Sequence, residues 1–204
     1  MSKITSENIQ ELINRSLNKK FFKENIPSQM SAYSILDFTL SVNIMDEQLY
    51  KLLPDENKAQ IQAENKRVEE EEDVDKLYNM LRKSLNPATV NIIIDRLMKQ
   101  KDTIIPRILE DLKRSGNDNF VESSSRILIK LENNYSKELE NILPQIKYPY
   151  TQAVVCYVLG KIGEEEHINT LYNYYKALKS NYKDEIYYEG PLLGLHEMKI
   201  RFQF

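Results

Sequence analysis

Thr151-Gln152-Ala153-Val154-Val155-Cys156-Tyr157-Val158-Leu159-Gly160-Lys161-Ile162-Gly163 carries one charge in thirteen residues. With Pro149-Tyr150 ahead of it, the stretch reads as a strongly apolar helix from Pro149 to Ile162 that ends at Gly163. It is shorter than the ~20 apolar residues a membrane span requires, so its apolar surface belongs in a protein core. Cys156 sits where a small apolar side chain fits and is expected to be a core thiol. The chain has no second cysteine, so no intrachain disulfide forms. After Gly163, Glu164-Glu165-Glu166 open the next helix, where acidic residues complement the positive dipole end. That helix carries Ile168, Leu171, Tyr172 and Tyr175 on one face.

The same i, i+3, i+4, i+7 stripe recurs upstream, as Leu139-Ile142-Leu143-Ile146 and as Ile105-Ile108-Leu109-Leu112. The stripes begin at residues 105, 139 and 168, offsets of 34 and 29. Between them lie apolar partner helices ending Ile127-Leu128-Ile129-Lys130-Leu131 and Tyr157-Val158-Leu159-Gly160-Lys161-Ile162. Two helices per unit at a spacing near 30 residues is the pattern of an α-solenoid.

Residues 151–163 resemble the first helix of bacterial HEAT-type repeats, in which a small-residue position precedes Leu-Gly-x-Ile-Gly and the second helix follows at once. Here the pattern is Leu159-Gly160-Lys161-Ile162-Gly163. Gly160 would allow close helix approach, and Gly163 would end the helix with a positive φ open to it. Leu193-Gly194-Leu195 is read as the corresponding part of a terminal repeat. The unit at 120–146 lacks both glycines, and the resemblance does not reach upstream of residue 75. It implies an all-α fold, a right-handed α-α superhelix of HEAT-like helix pairs with an irregular helical N-terminal cap. HEAT-type proteins mostly serve as interaction scaffolds, so it also implies protein binding, and it carries over no catalytic residues. A generic antiparallel helix bundle is the competing arrangement.

Upstream, Val74, Leu77, Tyr78, Leu81 and Leu85 form one stripe, and Val90, Ile93, Ile94 and Leu97 the next, behind Pro87 in a first helical turn. Asp102 is read as the cap of the helix at 105–112, with Pro106 in its first turn and Ser115-Gly116-Asn117 ending it. Ser136 is read as the cap of the helix at 139–146. A final helix, Asp184 to Lys199, is expected to bend near Gly190-Pro191. Residues 55–75 are almost wholly polar, with seven acidic and two basic residues between Glu64 and Asp75. They read as a solvated helix or as a linker. Before them, Asp46 caps a short helix with Leu49, Leu52 and Leu53, while residues 31–41 read as a buried helix or a strand. Helix one starts at Ser6, with Ile9, Leu12, Ile13, Leu17 and Phe21 on one face, and Pro27 closes it. The expected organisation is a helical cap over 1–75, including the acidic segment 55–75, and repeats over 76–204 that could pack with it as one continuous domain.

Five glycines and seven prolines in 204 residues favour long helices with short connections. Hydrophobic residues at 41% and charged residues at 29% give a globular balance. The opening residues Met1 to Asn8 lack an apolar stretch, so a cytoplasmic protein without a membrane association is expected. The net charge of −3 lacks the basic excess from which nucleic-acid binders draw affinity, so nucleic acid is not the expected partner. One enzymatic alternative stands: HEAT-like folds include alkylpurine DNA glycosylases, and Arg96, Lys99, Lys101, Arg107, Lys113 and Arg114 beside Glu110-Asp111 would be its support. An inhibitor or immunity-type binding protein is a third reading, compatible with the acidic character.

Scattered glycines make no phosphate-cradling loop. His196-Glu197 has no second histidine four residues on, and His167 is the only other one, so no metal site is expected. Asn117-Asp118-Asn119 opens like a calcium loop but lacks the later oxygen ligands, and a turn explains it. No catalytic residue and no cofactor is assigned. Tyrosine is the compositional anomaly, with ten of thirteen following residue 134. Tyr157, Tyr172 and Tyr175 lie on core stripes. Tyr174 falls off its stripe, and Tyr182, Tyr187 and Tyr188 surround the last connection. These four are the candidate contacts for a protein partner, because tyrosine gives large contact area at low entropic cost. The competing reading is that the tyrosines seal the end of the stack.

Overall fold

A computed structural model describes residues 6–27, 51–131 and 135–204, and the regular structure within them is all helical. In chain order the helices are α1 (Ser6–Asn25), α2 (Asp55–Glu70), α3 (Val74–Met80), α4 (Pro87–Met98) and α5 (Lys101–Leu112). They continue with α6 (Asp118–Lys130), α7 (Ser136–Ile142), α8 (Pro149–Ile162), α9 (Ile168–Asn181) and α10 (Glu189–Phe202). Short 3₁₀ turns, Leu143–Gln145 and Glu165–His167, extend α7 and introduce α9. Residues 31–41 and the Asp46-Leu49 start of a helix lie outside the described residues; Leu52 beyond them is exposed.

Three starts are capped by acidic or amide side chains. Asp73 accepts from the amides of Asp75 and Lys76, Asn86 from that of Ala88, and Asn117 from that of Phe120. Each satisfies donors that the first helical turn leaves free. Asp102 and Ser136 do not act as caps. Gln100 and Tyr135 hold those positions without a side-chain bond, Asp102 lies within the first turn, and Ser136 is buried. Pro106 lies at the sixth residue of α5 rather than in its first turn, so the carbonyl of Asp102 loses its helical donor.

Helices α2, α4, α6, α8 and α10 pack side by side in that order. Beside this row, α3 and α5 pack on α4, α5 on α6 and α7, α7 on α8, and α9 on α8 and α10. The connections bond to one another across the row. The Asn117 side chain donates to the Arg82 carbonyl, the Thr151 hydroxyl to that of Ser115, and the Lys147 amide to that of Lys113. From α3 onward the stripes point into one apolar core that runs from Phe22 to Met198. Val74, Leu85, Leu109 and Tyr172 are stripe members left half-buried.

The helix that opened the sequence reading is the centre of this core. From Ala153 to Gly160 every residue of α8 is buried, as befits a helix apolar all round. Its contact with α10 is backbone on backbone. A Cβ added to Gly160 would lie 2.5 Å from the carbonyl carbon of Gly194, and one on Gly194 would lie 2.7 Å from the carbonyl oxygen of Cys156. One on Gly190 would likewise meet the carbonyl of Ala153. Gly163 departs from expectation: its φ is −77° and its ψ 166°, an extended residue. Crowding by the Leu159 carbonyl, rather than a left-handed turn, keeps a side chain out there. Helix α10 also differs, since it begins at Glu189, with Pro191 in its first turn, and 184–188 form turns.

Residues 55–70 are a solvated helix, the first of the two readings of the acidic segment. Val68 alone is buried in α2, Asn65 accepts from Thr89, and Arg96 donates to the carbonyls of Val68 and Glu69. Helix α1 crosses to the far end of the chain and docks on α9 and α10. Of its expected apolar stripe, Ile13 and Leu17 are 47% and 60% exposed and Phe21 packs on Tyr172, beside the buried Phe22 and Ile26; the side chains of Ile9 and Leu12 lie outside the described residues.

Candidate functional site

The C-terminal tyrosines separate into two groups. Phe202, Phe204, Phe22, Phe21, Tyr172, Tyr175 and Tyr188 form an unbroken series of ring contacts, with successive centroids 5.8, 5.3, 5.7, 4.9, 6.2 and 6.2 Å apart. Edge-to-face and stacked rings at these spacings are favourable beyond their buried area. Asn18 donates to Glu165 at 2.9 Å and the Tyr172 hydroxyl to Asn25 at 3.2 Å, tying α1 to the same end. Tyr188, one of the four candidate contacts, is thus half-buried in a seal between the first helix and the last two.

Tyr174 is half-buried on another face of α9. Burial, with the Cys156 thiol beside it, pushes its hydroxyl up to about 12. It does not join the other candidates. Tyr182 and Tyr187 do come together, edge to face at 5.4 Å, in the connection between α9 and α10. Tyr182 is 37% exposed and Ile186, which sequence reasoning passed over, 41%. The connection is held by its own backbone: the Tyr182 amide donates to Leu178, Glu185 to Tyr182, Glu189 to Ile186 and Gly190 to Tyr187, at 2.9 to 3.3 Å. Lys183, Asp184 and Glu185 stand exposed around it. Tyr182 and Ile186 are thus exposed, with the half-buried Tyr187 beside them, on a hydrogen-bonded turn flanked by charged residues.

The basic residues that would favour a DNA-acting site are mostly engaged. Arg96 closes the end of α2, Arg107 pairs with Asp75, and Lys113 and Arg114 pair with Glu110 at 2.6 and 2.7 Å. The hydrogen bond from Lys113, with the charge of Arg114, holds the Glu110 carboxyl below its usual range. Asp111 accepts from the buried Tyr78 hydroxyl at 2.9 Å and from Arg82 at 2.7 Å. Asp111 thus ties α3 and the residues after it to α5, while Glu110 pairs with the end of its own helix. Glu185 is one of the charged residues that flank the turn of Tyr182 and Tyr187.

His167 is wholly buried, its Nδ1 3.0 Å from the amide of Glu164 in a reciprocal cap of the 3₁₀ turn. His196 donates to the carbonyl of Pro27, and burial and the neighbouring Lys199 lower its pKa. Cys156 is buried, and burial pushes its thiol well up. No cluster of three or more potential metal ligands occurs among the described residues, and no helix among them is long and apolar enough to cross a membrane. A cleft of about 180 Å³ between α4 and α6 is lined by Lys83, Asn119, Glu122, Ser123 and Arg126. Glu122 accepts from the Tyr150 hydroxyl at 2.8 Å, and burial raises its pKa against that bond. Comparison with protein families, with curated proteins and with solved structures gives no match.

Proposed function

We propose that the chain is a non-enzymatic, HEAT-like interaction scaffold that receives a protein partner on the knob of Tyr182, Ile186 and Tyr187. Three features support the repeat reading. The helices pack in sequence order along one row, the connections bond from unit to unit, and Gly160 and Gly194 let α8 and α10 touch along their backbones. Neighbour-on-neighbour packing of this kind is how solenoids build their core.

The observation that supports the binding role is the aromatic pair of exposed Tyr182 and half-buried Tyr187 on a hydrogen-bonded turn, with exposed Ile186 between them in sequence. The two rings already pack on each other, so association loses less conformational entropy, and aromatic anchors dominate interface energies. The test is affinity capture from the native cell with wild type and with Tyr182→Ala/Tyr187→Ala, followed by direct titration of the recovered protein. The double variant is expected to fold normally and to lose the partner by at least about tenfold, the scale of a single interface hot spot. Retention of the same partner at unchanged affinity would refute the assignment of the knob.

A further inference from the structure

The first helix of the row, α2, is held unlike the others. Val68 is the one fully buried side chain among its 16 residues, whereas α8 is buried without a break from Ala153 to Gly160. Its contact face is a narrow stripe, Ile61, Asn65 and Val68, at i, i+4 and i+7. The facing stripe of α4 has the same spacing, Thr89, Ile93 and Arg96. Polar groups join the two stripes. The Thr89 hydroxyl donates to Asn65 at 2.6 Å, and the Arg96 guanidinium donates to the carbonyls of Val68 and Glu69, the latter at 2.9 Å. The Arg96 bonds fall on the last carbonyls of α2, where a cation meets the negative end of the helix dipole. Between Thr89 and Arg96 lie the wholly buried Ile93 and the half-buried Ile92, the apolar floor on which α2 rests.

Away from α4, α2 keeps its own helical supports. Asp55 and Glu56 stand in its first turn and Arg67 in its last, and Asp55 pairs with Lys58 at 3.5 Å and Glu70 with Lys66 at 3.8 Å. The chain leaves it through Glu71, extended at φ −71° and ψ 117°, and Asp73 then caps α3. Beyond that joint α3 is fixed independently. Leu77 and Tyr78 are buried, the Tyr78 hydroxyl donates to Asp111, and Arg107 pairs with Asp75. A short extended joint between a lightly held helix and a firmly held one has the construction of a hinge.

We propose that α2 is a displaceable lid, latched by Thr89 and Arg96 over a helix-binding groove on α4. The groove's alternative occupant is an amphipathic helix from a partner, with an apolar residue, an asparagine and an apolar residue at i, i+4 and i+7. The resident helix displays that chemistry, and recognition of a helix in a groove rests on anchors at this spacing. Elements that move are drawn from the least stable part of a fold, and a helix with one buried side chain at the end of the row belongs there. The groove lies at the other end of the row from the knob and does not depend on it.

The probe is a fluorescently labelled peptide of residues 53–72 of this chain, titrated by anisotropy into the full chain. In the wild type the resident α2 occupies the groove, so the peptide is expected to bind weakly. Asn65→Ala/Val68→Ala in the chain loosens the resident helix and leaves α4 unaltered. That variant is expected to bind the unaltered peptide about tenfold more tightly, because apparent affinity rises with the fraction of open groove. Adding Arg96→Gln removes a contact supplied by the groove and should take the gain away. Hydrogen exchange on the wild type gives a second readout, in which the amides of α2 should exchange at least about tenfold faster than those of α4. Equal affinity of wild type and double variant for the peptide, a gain that survives Arg96→Gln, or α2 amides as slow as those of α4 would each overturn the proposal.

Discussion

Replacing Gly160 by alanine tests the contact at the centre of the fold. The new methyl carbon would sit 2.5 Å from the Gly194 carbonyl carbon, against the 3.5–4.0 Å of an ordinary carbon contact. The obstruction is backbone within a helix, so no rotamer relieves it, and α10 must retreat by about 1 Å or more from α8. Retreat loosens Leu192, Leu193, Leu195 and Met198, all buried by that packing. Overpacking of this kind costs about 1–3 kcal/mol and occasionally more, and rigid backbone on both sides puts Gly160→Ala at or above the upper end. Alanine's better helix propensity returns about 1 kcal/mol. The expected net loss is about 2–3 kcal/mol, a fall in Tm of roughly 5–10 °C for a chain of this size. The control is Gly116→Ala, where the added carbon would meet the Tyr148 ring at 3.0–3.1 Å. That ring is 37% exposed and free to swing, so the change should fall within about 0.5 kcal/mol of wild type. Urea unfolding followed by circular dichroism measures both. The double variant Gly160→Ala/Gly194→Ala should cost less than the two single losses added, because the first displacement makes room for the second. A Gly160→Ala protein as stable as Gly116→Ala would refute the backbone contact.

Two further outcomes concern buried ionisable groups. Glu122 titrates above its ordinary 4.5 because burial opposes its charge, so its contribution is favourable at low pH and is lost as pH rises through the folded value. Glu122→Gln keeps an acceptor for Tyr150 and should raise the urea midpoint at pH 7 but not at pH 4; a lower midpoint at pH 7 would contradict this. Tyr174 is held protonated by burial up to about 12, and Tyr78 and Tyr150 are displaced in the same direction. Their stabilising contribution is whole below the unfolded value of 10.0 and declines as pH climbs from there toward the folded values. Phenolate absorbance should therefore show three tyrosines that ionise only as the helical signal collapses, and smooth titration of all of them near pH 10 with the fold intact would count against their burial.

Helix positions and most core residues were readable because a 3.6-residue period is local. Leu139, Ile142, Leu143 and Ile146 were assigned to the core from spacing alone, and all four are buried. Gly160 was legible for a similar reason, since a glycine inside so apolar a helix implies a close neighbour. The neighbour itself, Gly194, was not, since Leu193-Gly194-Leu195 reads only as part of a terminal repeat and the pairing with Gly160 spans 34 residues. Gly163 shows where the inference ran past its warrant: glycine at a helix end suggests a left-handed residue, but the cause is steric and lies with the Leu159 carbonyl. The stripe on α1 held in part. Amphipathicity says that a face is apolar without saying which part of it meets another helix, and Ile13 and Leu17 stay exposed while Phe21, farther along the same stripe, packs on Tyr172. For the tyrosines, residue type marked the region but not the direction of each ring: of the four candidates Tyr182 and Tyr187 pack on each other, Tyr188 joins the aromatic series through Tyr175, and Tyr174 lies on another face.

The aromatic series that joins Phe21 and Phe22 to Tyr172 and Phe204 alters how such an assembly comes apart. A linear array of helix pairs ordinarily frays from its termini, each unit released at the expense of one neighbour. Here the first helix is clasped to the last two by contacts up to 187 residues apart along the chain. Peeling α1 or α10 breaks the same clasp, so the two should come away together, while α2, of which Val68 alone is buried, stays an open edge at the other end of the row. Forming the clasp requires the first helix to find the last two across nearly the whole chain, so it should be slower than the local helix pairing alone would set.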